Sequence, residues 1–385
     1  MDAATAELPN GLAAATVDQP GARMALAAAL GHPAHAYLFA GPAGSGKRAA
    51  ARAFVAQLIA QGAPDPGSAE RRVMAEPSPH PDLAWLRPAG SQHLVEDVRG
   101  RVIEAVPYRP FEGERRVFVI EEADAMAEES QNALLKTLEE PPPFAHLILV
   151  SSQPSALLDT VRSRCQQISF IALAPDAISD RLADSYPDAD TSALRAAARL
   201  AGGDLDRAGL LLTERGRELR SQAERLAKAI RSGAFDDAPW AGLLAAAVAR
   251  GEEVGATARA EVEHLAHLAS DAGDRRAVER LRREAEEAGK RATRRGRTDA
   301  LDAGLALLGS WIRDLAAVAD GAPDLILTAD RAQELGADAA GLDSRRARRA
   351  AELVMDTRRR LGVNVSEELA VEALCFRLEF LLRRQ

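Results

Sequence analysis

Five runs of apolar residues punctuate the first half of the chain: YLFA (37–40), LAWLRP (83–88), RVFVIEEAD (116–124), HLILVSS (146–152) and QQISF (166–170). The longer ones are continuous rather than alternating, the pattern of strands buried on both faces of a parallel sheet. Between them lie segments with helical spacing. AAARAFVAQLIA runs from Ala49, a second helix is expected over 94–106, and SQNALLKTLEEPPP (130–143) reads as a helix stopped by three prolines. A polar, proline-rich stretch fills 61–81. Strands alternating with helices predict an α/β fold with a doubly wound parallel sheet.

After Phe170 strand-like runs almost vanish. Residues 175–212 read as a small helical unit, and from about 215 onward the chain is helical, with breaks at GAPD (321–324) and GLD (341–343). The last helix is well marked. Ser366 can cap it, Glu367 and Glu368 suit the positive end of its dipole, and Val371, Leu374, Cys375, Leu378, Leu381 and Leu382 form one apolar stripe. The expected division is therefore 1–172, 173–214 and 215–385. No tandem repeat is visible.

Composition narrows the class. Of 385 residues, 47% are hydrophobic but only 4% aromatic, so Ala and Leu carry the apolar load, which favours helices. The net charge of −8 argues against a surface that coats DNA generally, since phosphate binding rests on Lys and Arg, while leaving a local basic face open. The charge-rich span 275–298 has no interleaved aromatics for base stacking and reads chiefly as a solvated helix with i,i+4 ion pairs. A phosphate-contacting face is the lesser alternative. The two cysteines, Cys165 and Cys375, are too far apart to suggest a disulfide framework or metal spacing. The N-terminus lacks the layout of a signal peptide, and the longest apolar run, WAGLLAAAVA from Trp240, is well short of the roughly 20 residues of a membrane span. A cytoplasmic protein without membrane attachment is expected.

Candidate chemistry begins at GPAGSGKR (41–48), set between a strand and a helix. Glycines at 41, 44 and 46 allow backbone N–H groups to turn toward phosphates around Ser45, and Lys47 can reach the β- and γ-phosphates. Arg48 stands where a Ser or Thr would hold magnesium, and it cannot coordinate a cation. Such a loop binds nucleotide weakly or has lost binding. An acidic strand end belongs beside it, normally Asp then Glu; here the pair is Glu121 and Glu122, with Asp124 beyond. Arg164, in SRC (163–165), is either a surface salt-bridge residue, which spacing alone favours, or a guanidinium offered to a neighbouring subunit's γ-phosphate. Cys165 reads as a small core residue rather than a nucleophile, with no His near it in sequence.

HAYLFAGPAGSGK (35–47), ESQNALLKTLEEPP (129–142), LVSSQPSALLDTVRSRC (149–165) and GGDLDRA (202–208) together resemble the bacterial clamp-loader ATPase family, the AAA+ subunits of DNA polymerase III. The likeness covers about 1–212, and the helical remainder resembles that family's oligomerisation collar. It implies an AAA+ P-loop domain, a helical lid and a collar. A loop lacking its hydroxyl, an intact SRC and a short C-terminal end resemble the delta-prime type; the gamma/tau motor type is the alternative. By the same resemblance, Gly44, Gly46 and Lys47 match the nucleotide loop and Glu121 and Glu122 its acidic partner. Ser152 matches the γ-phosphate sensor, Arg207 the lid arginine, and Arg164 an arginine finger acting in trans. The implied partners are gamma/tau ATPase subunits and a delta subunit in a hetero-oligomeric ring, the sliding clamp, and primed DNA through the assembled complex. The implied enzyme is a DNA-directed DNA polymerase holoenzyme whose polymerisation is done by other chains, with little intrinsic ATPase here. Many relatives carry a four-cysteine zinc module where this sequence has QGAPDPGSAERRVMAEPSPHPD; with His80 and no cysteine, no zinc is expected.

Overall fold

Tyr37 and Phe39 of the first strand pack on one side of a sheet, Leu38 and Ala40 on the other, and all four are buried. That two-sided burial is why the strand reads as an unbroken apolar run. A computed structural model describes residues 8–76, 78–88, 90, 92–271, 275–361 and 366–383. They fall into two compact units, one extending to Ala177 and including Gly203–Leu205, the other made of Ile178–Gly202 and the chain from Asp206.

The first unit begins with helices α1 (Asn10–Ala15) and α2 (Pro20–Gly31). It continues through β1 (Ala36–Ala40), α3 (Lys47–Ala60), α4 (Pro66–Met74), β2 (Leu83–Leu86) and α5 (Val95–Val98), which runs on as a π-helical turn, Arg99–Ile103. There follow β3 (Arg116–Ile120), α6 (Glu128–Glu139), β4 (Ala145–Ser151), α7 (Asp159–Arg162) and β5 (Gln166–Ser169). All strand pairs are parallel, in the order β2-β3-β4-β1-β5. The register sets Leu38 beside Leu149 and Val119 beside Ile148. One face buries Phe54, Leu58 and Ile59 of α3 with Leu12 and Leu26; the other buries Val98, Val102, Leu134 and Val161. Each fully buried Leu or Phe contributes about 1.5–3 kcal/mol. β1 and β4 are neighbours whose crossovers leave in opposite directions, to β2 and to β5, and that opens a crevice at their carboxyl ends.

The proline-rich stretch 61–81 contains a helix that its composition conceals. Pro66 occupies the first turn of α4, where its missing N–H is no loss, and the Asp65 carboxylate accepts from Ser68 N at 3.0 Å.

In the second unit α8 (Pro175–Ser185, begun in the first), α9 (Thr191–Leu200) and α10 (Leu205–Leu212) precede α11 (Glu214–Ser232). Two long antiparallel helices follow, α12 (Ala241–Asp271) and α13 (Arg275–Ala319), then α14 (Ala332–Ala339), α15 (Ser344–Leu361) and α16 (Glu367–Leu382). The charged span 275–298 lies on α13, and it is not solvated all round. Lys290–Glu287 and Arg295–Asp299 pairs lie on it, yet Gly289, Thr293 and Gly296 meet Gly255, Gly251 and Val254 of α12, close to the backbone. At the break after α13, the fully buried Asp314 carboxylate accepts from the N–H groups of Leu327 and Thr328. Ser366 caps α16 through Leu369 N. The expected stripe is buried except for Leu381, which is partly exposed; Phe380 is largely in solvent, and half-exposed Phe376 packs its ring against Phe235 and Trp240. No described helix is long and apolar enough to cross a membrane.

Candidate functional site

The loop after β1 is built as a phosphate loop. Gly44 and Gly46 have φ of 63° and 87°, left-handed values that side chains rarely adopt, and α3 starts at Lys47 directly behind them. Gly41 N donates to Ser151 O of β4. Gln19 holds the loop from outside: its Nε2 donates to Ser45 O at 3.0 Å and to Ile171 O at 2.8 Å, and its Oε1 accepts from Ile171 N at 2.9 Å.

The loop is also satisfied from within. Lys47 is buried, and its Nζ donates to Gly41 O at 2.7 Å, to Pro42 O and to Ser45 Oγ at 3.4 Å. The Gly203–Leu205 segment lies across the loop. Leu205 N donates to Gly44 O at 3.2 Å, and the Asp204 carboxylate fills the space a side chain on Gly44 would take. A carboxylate there opposes a second anion by like charge.

The acidic strand end does come to the loop, and register explains its surroundings. Leu86 pairs with Ile120, so Arg87 and Glu121, one residue on, emerge side by side, with Trp85 two residues back on β2. Glu121 Oε2 accepts from Trp85 Nε1 at 2.9 Å and Arg87 Nε at 2.6 Å; Arg48 Nε lies 3.6 Å from Oε1. Arg48 and Arg87 both also reach Glu76, just past α4, and Arg52 joins them at 3.2 Å while stacking over the Trp85 ring. Arg52 further donates to Val73 O and Ala75 O, closing the end of α4, and burial lowers its pKa. The Arg48 and Arg87 pairs to Glu76 are half-exposed and worth about 0–1 kcal/mol each. Glu121 is only 14% exposed, so the weight of the lattice falls there.

This donor set does not fit magnesium, which takes carboxylate, hydroxyl and water oxygens in near-octahedral array. The residue at the hydroxyl's position is a cation, and the first carboxylate already faces an indole N–H and two guanidinium groups. Glu122, next along, is left-handed at φ 53°, ψ 50°, strain of the kind that collects at functional edges. Asp124 Oδ1 accepts from Ser152 N at 3.0 Å; Ser152 is exposed just past β4, while Ser151 before it is buried.

Arg164 lies in the turn between α7 and β5. Its Nη1 donates to Thr160 O at 2.9 Å and its Nη2 to Glu139 Oε1, the end of α6, at 2.5 Å, while about a third of its side chain stays exposed. It is a surface ion-pair residue whose guanidinium still reaches solvent. Burial pushes the Cys165 thiol up to about 12, which suits a packing role. Arg207 belongs to the second unit, where it donates to Ala201 O at 3.4 Å and lines a groove of about 800 Å³ between α13 and α15. Sequence reasoning did not find Gln19, Glu76, Arg52, Trp85, Arg87, Glu139 or Asp204. Two of them carry a visible signal, Glu139 inside ALLKTLEEPP and Asp204 inside GGDLDRA.

Residues 21–174 match the family described as DNA polymerase III, delta subunit. The chain is 38% identical over 197 residues to the DNA polymerase III subunit delta' of Pseudomonas aeruginosa, covering 49% of this chain and 59% of that one. It is 36% identical over 150 residues to the subunit delta' of Bacillus subtilis, covering 38% and 45%. Against the subunit tau of Escherichia coli it is 34% identical over 239 residues, covering 58% and 36%. The chain thus spans about half the length of the two delta' relatives and about a third of the tau relative. With its parallel sheet and phosphate-type loop, the chain is similar over its first half to the delta' and tau subunits of DNA polymerase III.

Proposed function

We propose that the chain works as a stationary subunit of a DNA polymerase III clamp loader. Its AAA+ domain, the small helical lid and the helical collar occupy one place in a ring with gamma/tau ATPase subunits and a delta subunit. The ring opens the sliding clamp and loads it on primed DNA in the cytoplasm. In this reading the chain turns over little ATP itself and offers Arg164 to its neighbour's γ-phosphate, where such a finger is worth roughly 10³–10⁵ in rate. The observation that carries the reading is the placement of Arg164: on a short turn fixed between α7 and β5, tied to Glu139, with the guanidinium open to an approaching surface. The motor alternative needs a magnesium-binding hydroxyl that Arg48 does not supply.

The experiment is Arg164→Ala in a reconstituted complex. Loss of most DNA- and clamp-stimulated ATPase with assembly intact supports the reading. Unchanged ATPase reduces the subunit to a scaffold. Rapid magnesium-dependent hydrolysis by the isolated chain restores the motor reading.

A further inference from the structure

Arg48 and Glu121 are two departures from a working nucleotide site, and they lie against each other. A cation sits where a hydroxyl would bring magnesium, and it faces the carboxylate that would have received that magnesium. The surroundings complete the substitution. Arg87 supplies a second positive charge to Glu121, Glu76 gathers Arg48, Arg52 and Arg87, and the Trp85 indole is fixed between Glu121 and Arg52. The elements so tied are α3, the segment after α4, β2 and the end of β3.

We propose that Arg48 is a built-in cation replacing the divalent ion, and that its lattice with Glu76, Arg87 and Glu121 holds this domain in a single, nucleotide-independent state. The proposal deepens the stationary-subunit reading and rests on it. A motor subunit needs its strand ends to respond to a bound nucleotide, whereas a stationary one works best if they never do. A permanent guanidinium achieves this because, unlike magnesium, it cannot leave with the product. Lys47 and Asp204 close the phosphate side of the same loop.

The test is thermal melting of the full chain with magnesium alone, ATP alone and magnesium with ATP. The unaltered chain is expected to melt at one temperature in all three. Arg48→Thr, which restores a hydroxyl and removes the cation, should melt lower without ligand and regain the difference with magnesium and ATP together, an effect abolished by chelation. Glu76→Gln loosens Arg48 and Arg87 without touching the loop and should also melt lower without ligand. This keeps the test decisive if the threonine variant does not fold. A chelation-sensitive rise in melting temperature of the unaltered chain overturns the proposal. So does an Arg48→Thr chain that melts like the parent and stays indifferent to magnesium-ATP, or an unchanged melt for Glu76→Gln. None of these readouts involves Arg164, so normal ATPase from an Arg164→Ala complex defeats the stationary-subunit reading alone.

Discussion

Arg164 Nη2 stands 2.5 Å from Glu139 Oε1, so the guanidinium that precedes β5 is aimed by the last residue of α6. Both partners are partly exposed, and such a pair contributes about 0–1 kcal/mol to stability. Its effect is on orientation. On the proposed finger role, Glu139→Gln should leave the melt of the subunit unchanged yet lower the ATPase of a reconstituted complex by roughly 10-fold, against the roughly 10³-fold or more expected of Arg164→Ala, since positioning is worth less than the charge itself. Steady-state hydrolysis by complexes carrying each variant checks this. Equal losses would mean Glu139 does more than aim.

Asp82 is fully buried and accepts from three successive backbone N–H groups, those of Phe111, Glu112 and Gly113. It folds down the turn before β3. Asp82→Ala would strand those donors, and we expect a loss of about 3 kcal/mol. Urea unfolding measures it; a loss below about 1 kcal/mol would show that water replaces the carboxylate.

His146 lies buried on β4 with its ring stacked on His35 and Nδ1 donating to Ala34 O. Burial, more than any neighbour, lowers its pKa. The unfolded chain, with an ordinary histidine near 6.5, takes up the proton first. The stabilising contribution of neutral His146 is therefore whole above about pH 6.5 and declines as pH falls below it. Denaturant melts at about pH 7.5 and 5.5 should show the parent losing more stability on acidification than His146→Gln.

Gly255 of α12 faces Thr293 and the Gly289 carbonyl of α13 with no room for a further carbon. A methyl there must push the two helices apart. Gly255→Ala should destabilise the second unit by about 1–3 kcal/mol despite alanine's better helix propensity. A neutral or stabilising result, read by thermal melting, would mean the helices separate freely.

The parallel sheet was legible because β1, β3 and β4 are apolar on both faces, a pattern few other elements produce. The phosphate loop was legible because its three glycines fall within six residues and are framed by a strand and a helix. The lattice was not. Arg48, Glu76, Arg87 and Glu121 are spread over more than seventy positions, and only the pairing of β2 with β3 and the folding of α4 against α3 bring them together. Helix α4 was hidden by the prolines around it, although Asp65 and Pro66 form a recognisable helix start. On α13 the charges of 275–298 obscured the glycines, which mark the face turned inward.

The internal bonds of Lys47 change how a familiar experiment must be interpreted. In an ordinary nucleotide-binding protein, removing this lysine silences chemistry and leaves folding alone. Here its ammonium already donates hydrogen bonds to the Gly41 and Pro42 carbonyls of the loop. Lys47→Ala would leave those oxygens without their donor, so a defective complex carrying it would report a misshapen loop rather than a lost hydrolysis step.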